Sequence, residues 1–150
     1  MDKLKMLKVG LWGLCGILLL VGGCVTTSFK YTIKEEPVYA QEIENQGLVY
    51  LFRKSIRASG MPIEVYMDDK PVGVSEGGTY FYFYAPKGIH NIRAQAGGNV
   101  GQLNVTIETK KVYYIKQDFT FMGVISLEVA KPDEGQASIK NLKYVETQLP

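Results

Sequence analysis

The chain has 150 residues, with 17 basic and 15 acidic side chains, one histidine and two cysteines. Its net charge of +2 is carried by Lys3, Lys5 and Lys8 against Asp2, and the remainder is formally neutral. A neutral chain lacks the basic surface that displaces counterions from nucleic acid. The length suits one domain with a short appendage.

After the N-terminal lysines comes an apolar, glycine-rich run over residues 9–23, ending Val21-Gly22-Gly23-Cys24. It is too short for a membrane-spanning helix, which needs about 20 apolar residues. An ordinary secretory signal fits the charge pattern but usually ends in an Ala-x-Ala-like site. Small residues directly before a cysteine instead match a lipoprotein signal peptide. The expectation is cleavage between Gly23 and Cys24 in a bacterial host. Cys24 then carries diacylglycerol on its thiol and an N-acyl chain on its new terminus. Val25, where inner-membrane lipoproteins of enteric-type bacteria commonly have aspartate, favours an outer-membrane anchor facing the periplasm. Cys15 leaves with the signal and Cys24 is acylated, so no disulfide, thiolate metal site or cysteine nucleophile is expected.

Residues 24–46 read as the lipidated cysteine and a tether, a mixture of charge, Pro37 and polar residues. Fully extended, a tether of roughly 22 residues spans at most about 75 Å. The alternative is that Phe29, Tyr31, Ile33, Val38 and Tyr39 dock on the domain as an edge strand.

From residue 47 a period of two dominates. Leu48, Tyr50 and Phe52 alternate with Val49, Leu51 and Arg53, and both rows are rather apolar, as in a central strand. Ile63, Val65 and Met67 form the next row. Asp68-Asp69-Lys70-Pro71 is a turn signal, with a short return at Val72-Gly73-Val74. Tyr80-Phe81-Tyr82-Phe83-Tyr84 has high strand propensity. Rows at His90, Ile92 and Ala94, then at Leu103, Val105 and Ile107, follow. Val112-Tyr113-Tyr114-Ile115 and residues 124–130 complete eight strands. Ala137, Ile139 and Leu142 suggest one short helical or extended element packed at an edge. The predicted fold is all-β: an antiparallel sandwich of about eight strands over residues 47–150, with the core rows after Gly47.

VYMDDKPVG followed by GTYFYFYAPKGIHNIRA resembles the PEGA-type surface β-sandwich module, in its Asp-Gly-Lys-like turn and then its Pro-Gly-x-His-like turn. With KVYYIKQDFTFMGVISLEVA, residues 47–142 are similar to a family of small bacterial lipoproteins whose domain of unknown function is built on that core. Asp69 stands where the family often has glycine, and Lys87 separates Pro86 from Gly88. The resemblance implies a cell-envelope module and assigns no catalytic residue.

Several residues are candidates for chemistry. His90 is a general base if Asp68 or Glu64 orients it, or a turn-end histidine bonded to backbone. Asp68, Asp69 and Asp118 are cation candidates, but two adjacent turn aspartates point apart and calcium takes six to eight oxygens. Glu64, Glu76 and Glu108 offer a glycosidase pair only if two face each other, and otherwise are solvated surface. Neither a catalytic nor a metal site is assigned. Tyr80, Tyr82 and Tyr84 share one strand face, with Phe81 and Phe83 on the core face. The tyrosines are the candidate binding residues, as a stacking platform for sugar rings or an anchor for a protein. Alternatively they pack against Tyr113, Tyr50 or a docked tether. The functional expectation is a non-catalytic binding module for an envelope protein or glycan, held to the membrane by its lipid. A hydrolase of envelope polymers and a structural spacer are the rivals. No cofactor besides the covalent lipid is expected.

Overall fold

The computed structural model describes residues 27–54, 60–120 and 122–150. The expected signal segment, with Gly23 and Cys24, lies outside the described residues. Ten strands and one helix fill the rest. In chain order they are β1 (Lys30–Lys34), β2 (Gln46–Arg53), β3 (Ile63–Met67), β4 (Lys70–Ser75), β5 (Thr79–Pro86), β6 (Gly88–Ala96), β7 (Asn99–Ile107), β8 (Val112–Phe119), β9 (Ile125–Ala130), α1 (Pro132–Ile139) and β10 (Lys143–Gln148). They form a six-stranded sheet, β1-β10-β5-β2-β8-β9, and a four-stranded sheet, β4-β3-β6-β7.

The two sheets pack as a sandwich around the alternating rows. Val49, Leu51, Phe81, Phe83, Ile115 and Val145 of the larger sheet meet Ile63, Val65, Ile92, Ala94, Val105 and Ile107 of the smaller. β2 is buried on both faces, as its two apolar rows require of a strand between β5 and β8. Gly73 lies directly on the Phe81 ring, where a Cβ would overlap it. Asp68 and Asp69, at φ 48° and 65°, both occupy the left-handed region and close the β3–β4 hairpin. Two such residues make the primed turn that suits strand twist, and glycine is favoured there.

Two expectations are corrected, and one that the sequence left open is decided. The sandwich is mixed rather than purely antiparallel, because β2 pairs parallel with β8 and β10 parallel with β5. One short element near residues 137–142 is in fact a helix followed by a strand. α1 carries the chain from the β9 edge back across the sheet, so β10 enters beside β5 in the same direction. Finally, of the two readings of residues 24–46, the docked one holds for the described residues from 27 onward. β1 pairs along its length with β10, from Lys30↔Gln148 to Lys34↔Tyr144. The folded unit therefore begins well before residue 47.

Candidate functional site

The outward row of the six-stranded sheet is tyrosine-rich because the register aligns it. Tyr50 faces Tyr82 on β5 and Tyr114 on β8, and Tyr80 faces Tyr144 on β10. The Tyr50 and Tyr114 rings stack, with centroids 5.5 Å apart and planes 11° apart. Tyr82 stacks on Tyr144 at 5.6 Å, and Tyr50 meets Tyr80 and Tyr82 at 6.2 and 5.9 Å. Offset stacked and tilted arrangements are the favourable ones for aromatic quadrupoles.

Two elements cover this row. Over one side runs an extended strap, residues 38–42, which has no strand partner. Tyrosine hydroxyls hold it by its backbone. Tyr80 Oη accepts from the Val38 N–H at 2.9 Å and donates to the Val38 carbonyl at 3.1 Å. Tyr50 Oη accepts from the Ala40 N–H at 3.0 Å, and Tyr84 Oη donates to the Gln41 carbonyl at 2.7 Å. Over the other side lies α1. Its Gly135 rests on the Tyr114 ring, and Ile139 is buried against the row. Pro132 opens the helix, with Asp133 and Glu134 in its first turn, the residues that suit a helix N-terminus.

Between strap and helix lies a cleft of about 380 Å³. Leu48, Tyr50, Val112 and Tyr114 form its floor. Tyr39, Ala40 and Glu42 form the strap wall, and Gln136, Ile139 and Lys140 the helix wall. Burial raises the Tyr114 phenol above its usual range, and the Glu42 charge adds to the shift. Burial likewise raises Tyr50, although the Ala40 N–H partly offsets it. These phenols stay neutral at physiological pH and serve as hydrogen-bonding groups. The cleft combines an aromatic floor with a few polar groups, and its volume falls in the range of small-ligand sites, roughly 300–1,000 Å³.

The three candidate tyrosines therefore differ. Tyr80 is fully buried and Tyr82 and Tyr84 are half-buried, so the row is not an open platform. The cover is the docked segment and α1. Tyr50 joins the row as expected, but Tyr113 does not: it packs toward the inter-sheet core, and its neighbour Tyr114 takes the outward place. The cleft walls at Glu42, Gln136 and Lys140 have no periodic signal that could have marked them.

The other candidates separate. Asp68 Oδ2 lies 2.6 Å from His90 Nδ1, and the Pro86 carbonyl lies 2.8 Å from Nε2. A carbonyl only accepts, so Nε2 carries a proton, and the carboxylate favours a second one on Nδ1. Burial alone would lower the His90 pKa, but the Asp68 and Pro86 bonds outweigh it and raise it. Both ring nitrogens are occupied, and Glu64 is not the partner. Asp69 turns to Arg93 and Asp118 to Lys116. Among the described residues no three acidic, histidine or cysteine side chains converge as for a metal. Glu76 binds the Tyr31 hydroxyl and Glu108 pairs with Lys111.

Glu64 has a different task. It accepts hydrogen bonds from the Thr27 hydroxyl at 2.8 Å, the Ser28 N–H at 3.0 Å and the Tyr66 hydroxyl at 2.7 Å. Burial would raise its pKa, but these donors, with Gln95, pull it down to about 2. It is the clamp that holds the start of the described chain on the smaller sheet.

No solved structure matches this chain. A bacterial protein from Haemophilus influenzae, described only as uncharacterized, is 30% identical over 135 residues, covering 85% of this chain and 79% of that protein. A family model described as a protein of unknown function, DUF2846, matches residues 43–129, more than half of the chain. That match begins just after the strap and ends in β9, so it takes in the cleft floor and the outward tyrosine row except Tyr144, and on this match the chain belongs to the DUF2846 family.

Proposed function

We propose that this chain is a lipid-anchored lipoprotein of the bacterial cell envelope, PEGA-like in its core, that works as a non-catalytic binding module. Its lipid sits on Cys24, in the outer membrane facing the periplasm, and its ligand is an envelope protein or glycan. The observation that carries the reading is the cleft between strap and helix. It is floored by the stacked Tyr50 and Tyr114 rings, and Tyr39, 52% exposed, stands on its strap wall. Tyrosine offers a flat apolar body and a polar tip, the combination enriched at recognition surfaces. The anchor rests on the lysine-apolar-cysteine order of residues 1–24. A hydrolase needs two facing carboxyl groups or an activated nucleophile. Glu64, Glu76 and Glu108 engage separate partners, which favours binding.

A photo-crosslinking residue placed at Tyr39 in intact cells tests this. A defined adduct is expected at position 39 and not at Thr106, an exposed residue on the other sheet. Equal adducts at both positions, or none at 39, would overturn the reading.

A further inference from the structure

The start of the described chain fixes where an anchor would emerge. Phe29 packs on Tyr66, with centroids 6.1 Å apart. Just before it, Ser28 and Thr27 bond Glu64, two positions nearer the start of β3. Followed backward, the chain runs along the outer face of the four-stranded sheet. It heads toward the end that carries the β6–β7 hairpin, where Glu64 lies near Gln95, Gly97, Gly98 and Val100. Cys24 is three residues before Thr27, and three residues of any backbone reach at most about 10 Å. A long tether is thus reduced to a short stub.

The same end carries exposed apolar side chains. Met122 is 88% exposed, Val124 56% and Val100 51%. The β8–β9 connection and the β6–β7 hairpin meet there. A Cβ on Gly123 would lie 3.0 Å from the Asn99 side chain, and Gly101 abuts Ile125. Single exposed apolar residues are ordinary, but a group of them at one end marks an interaction surface.

We propose that this end of the sandwich faces the bilayer, with Met122, Val124 and Val100 seated in the interfacial layer beside the acyl chains of Cys24. The inference rests on the lipid-anchor reading above. Two or more acyl chains already make release slow, so the apolar contact governs orientation rather than retention. With this end down, the cleft lies on the outer face of the other sheet, to the side of the membrane, where a periplasmic ligand can reach it.

The test uses the full lipidated chain in vesicles of phosphatidylethanolamine and phosphatidylglycerol. A single added cysteine carries an environment-sensitive fluorophore, in Met122→Cys or in Ile89→Cys at the far end of β6. Circular dichroism checks that each labelled protein keeps its strand content. The label at 122 is expected to shift blue and to be quenched by lipid-borne spin labels, with iodide quenching several-fold weaker than at 89. Equal iodide access at the two positions, or lipid quenching at 89 instead, overturns the orientation. Mass spectrometry of the Cys24 peptide in the same sample separates the two claims. Acylated Cys24 with an aqueous label at 122 sinks the orientation alone, whereas unmodified Cys24 sinks the anchor and the orientation with it.

Discussion

Gly135 of α1 lies so close to the Tyr114 ring that a single added methyl group would overlap it. Glycine is a poor helix residue, about 1 kcal/mol worse than alanine in a helix interior. On propensity alone Gly135→Ala should stabilise the protein. The contact reverses the sign: either α1 lifts off the sheet or the ring shifts from its stack on Tyr50. Overpacking of this kind costs about 1–3 kcal/mol, so a net loss of stability is expected in urea unfolding. A stabilised Gly135→Ala protein would show that α1 is not seated as described.

The strap depends on tyrosine hydroxyls rather than on a strand ladder. Tyr80→Phe keeps the buried ring but removes both bonds to Val38. Each such bond contributes about 0.5–1.5 kcal/mol. Hydrogen exchange of the Val38 and Ala40 amides, the two that bond tyrosine hydroxyls, should accelerate, while amides of the inter-sheet core strands keep their protection. Uniform loss of protection across the molecule would argue that the strap is part of the cooperative core.

Removing the docked segment should be costly. A chain beginning at Gln46 contains every inter-sheet core row after Gly47, and the sequence alone suggests that it folds independently. It lacks β1 and the strap, however, and so leaves the β10 edge and the Tyr80 ring uncovered. It is expected to melt well below the chain that begins at Cys24. Equal melting temperatures would mean that residues 27–45 add nothing to the fold.

The Asp68–His90 pair gives a defined pH dependence. The His90 pKa is raised, so its contribution is complete below the unfolded value near 6.5 and is lost as pH rises through the folded one. The Asp68 pKa is lowered by the His90 bond and then by the Asn91 N–H. Its contribution is complete above the unfolded value near 3.8 and is lost as pH falls through the folded one. The pair therefore supports the fold most between those two values and less toward alkaline pH. Urea midpoints of the wild type minus those of Asp68→Asn should trace that shape, and a difference that is flat with pH would remove the charged pair.

Much of the sandwich could be read from alternation. The doubly apolar rows of β2 mark a central strand, and Phe81 and Phe83 fall in the core where their row places them. β10 escaped because KYVETQ is short, with too few apolar positions to outweigh the polar ones, whereas β1 was open to reading as a docked edge strand through Tyr31 and Ile33. Their pairing with each other is a long-range event that no local pattern encodes. In the β8 segment, Val112-Tyr113-Tyr114-Ile115 is apolar at every position, so alternation could not decide which tyrosine faces outward. The site was legible only as a tyrosine row. Its burial comes from a strap held through backbone groups, which any sequence can offer, and from a helix seated by a single glycine.

The proposed lipid anchor on Cys24 underlies both the proposed function and the orientation at the membrane. Its most direct test is the intact mass of the N-terminal peptide from protein extracted from bacterial membranes. The account predicts a peptide that starts at Cys24 and carries both a diacylglyceryl and an N-acyl group. It also predicts that Cys24→Ser persists as the longer, unacylated precursor or appears in the soluble fraction. A native peptide with an unmodified Cys24, or one that still retains residues 1–23, would contradict the account.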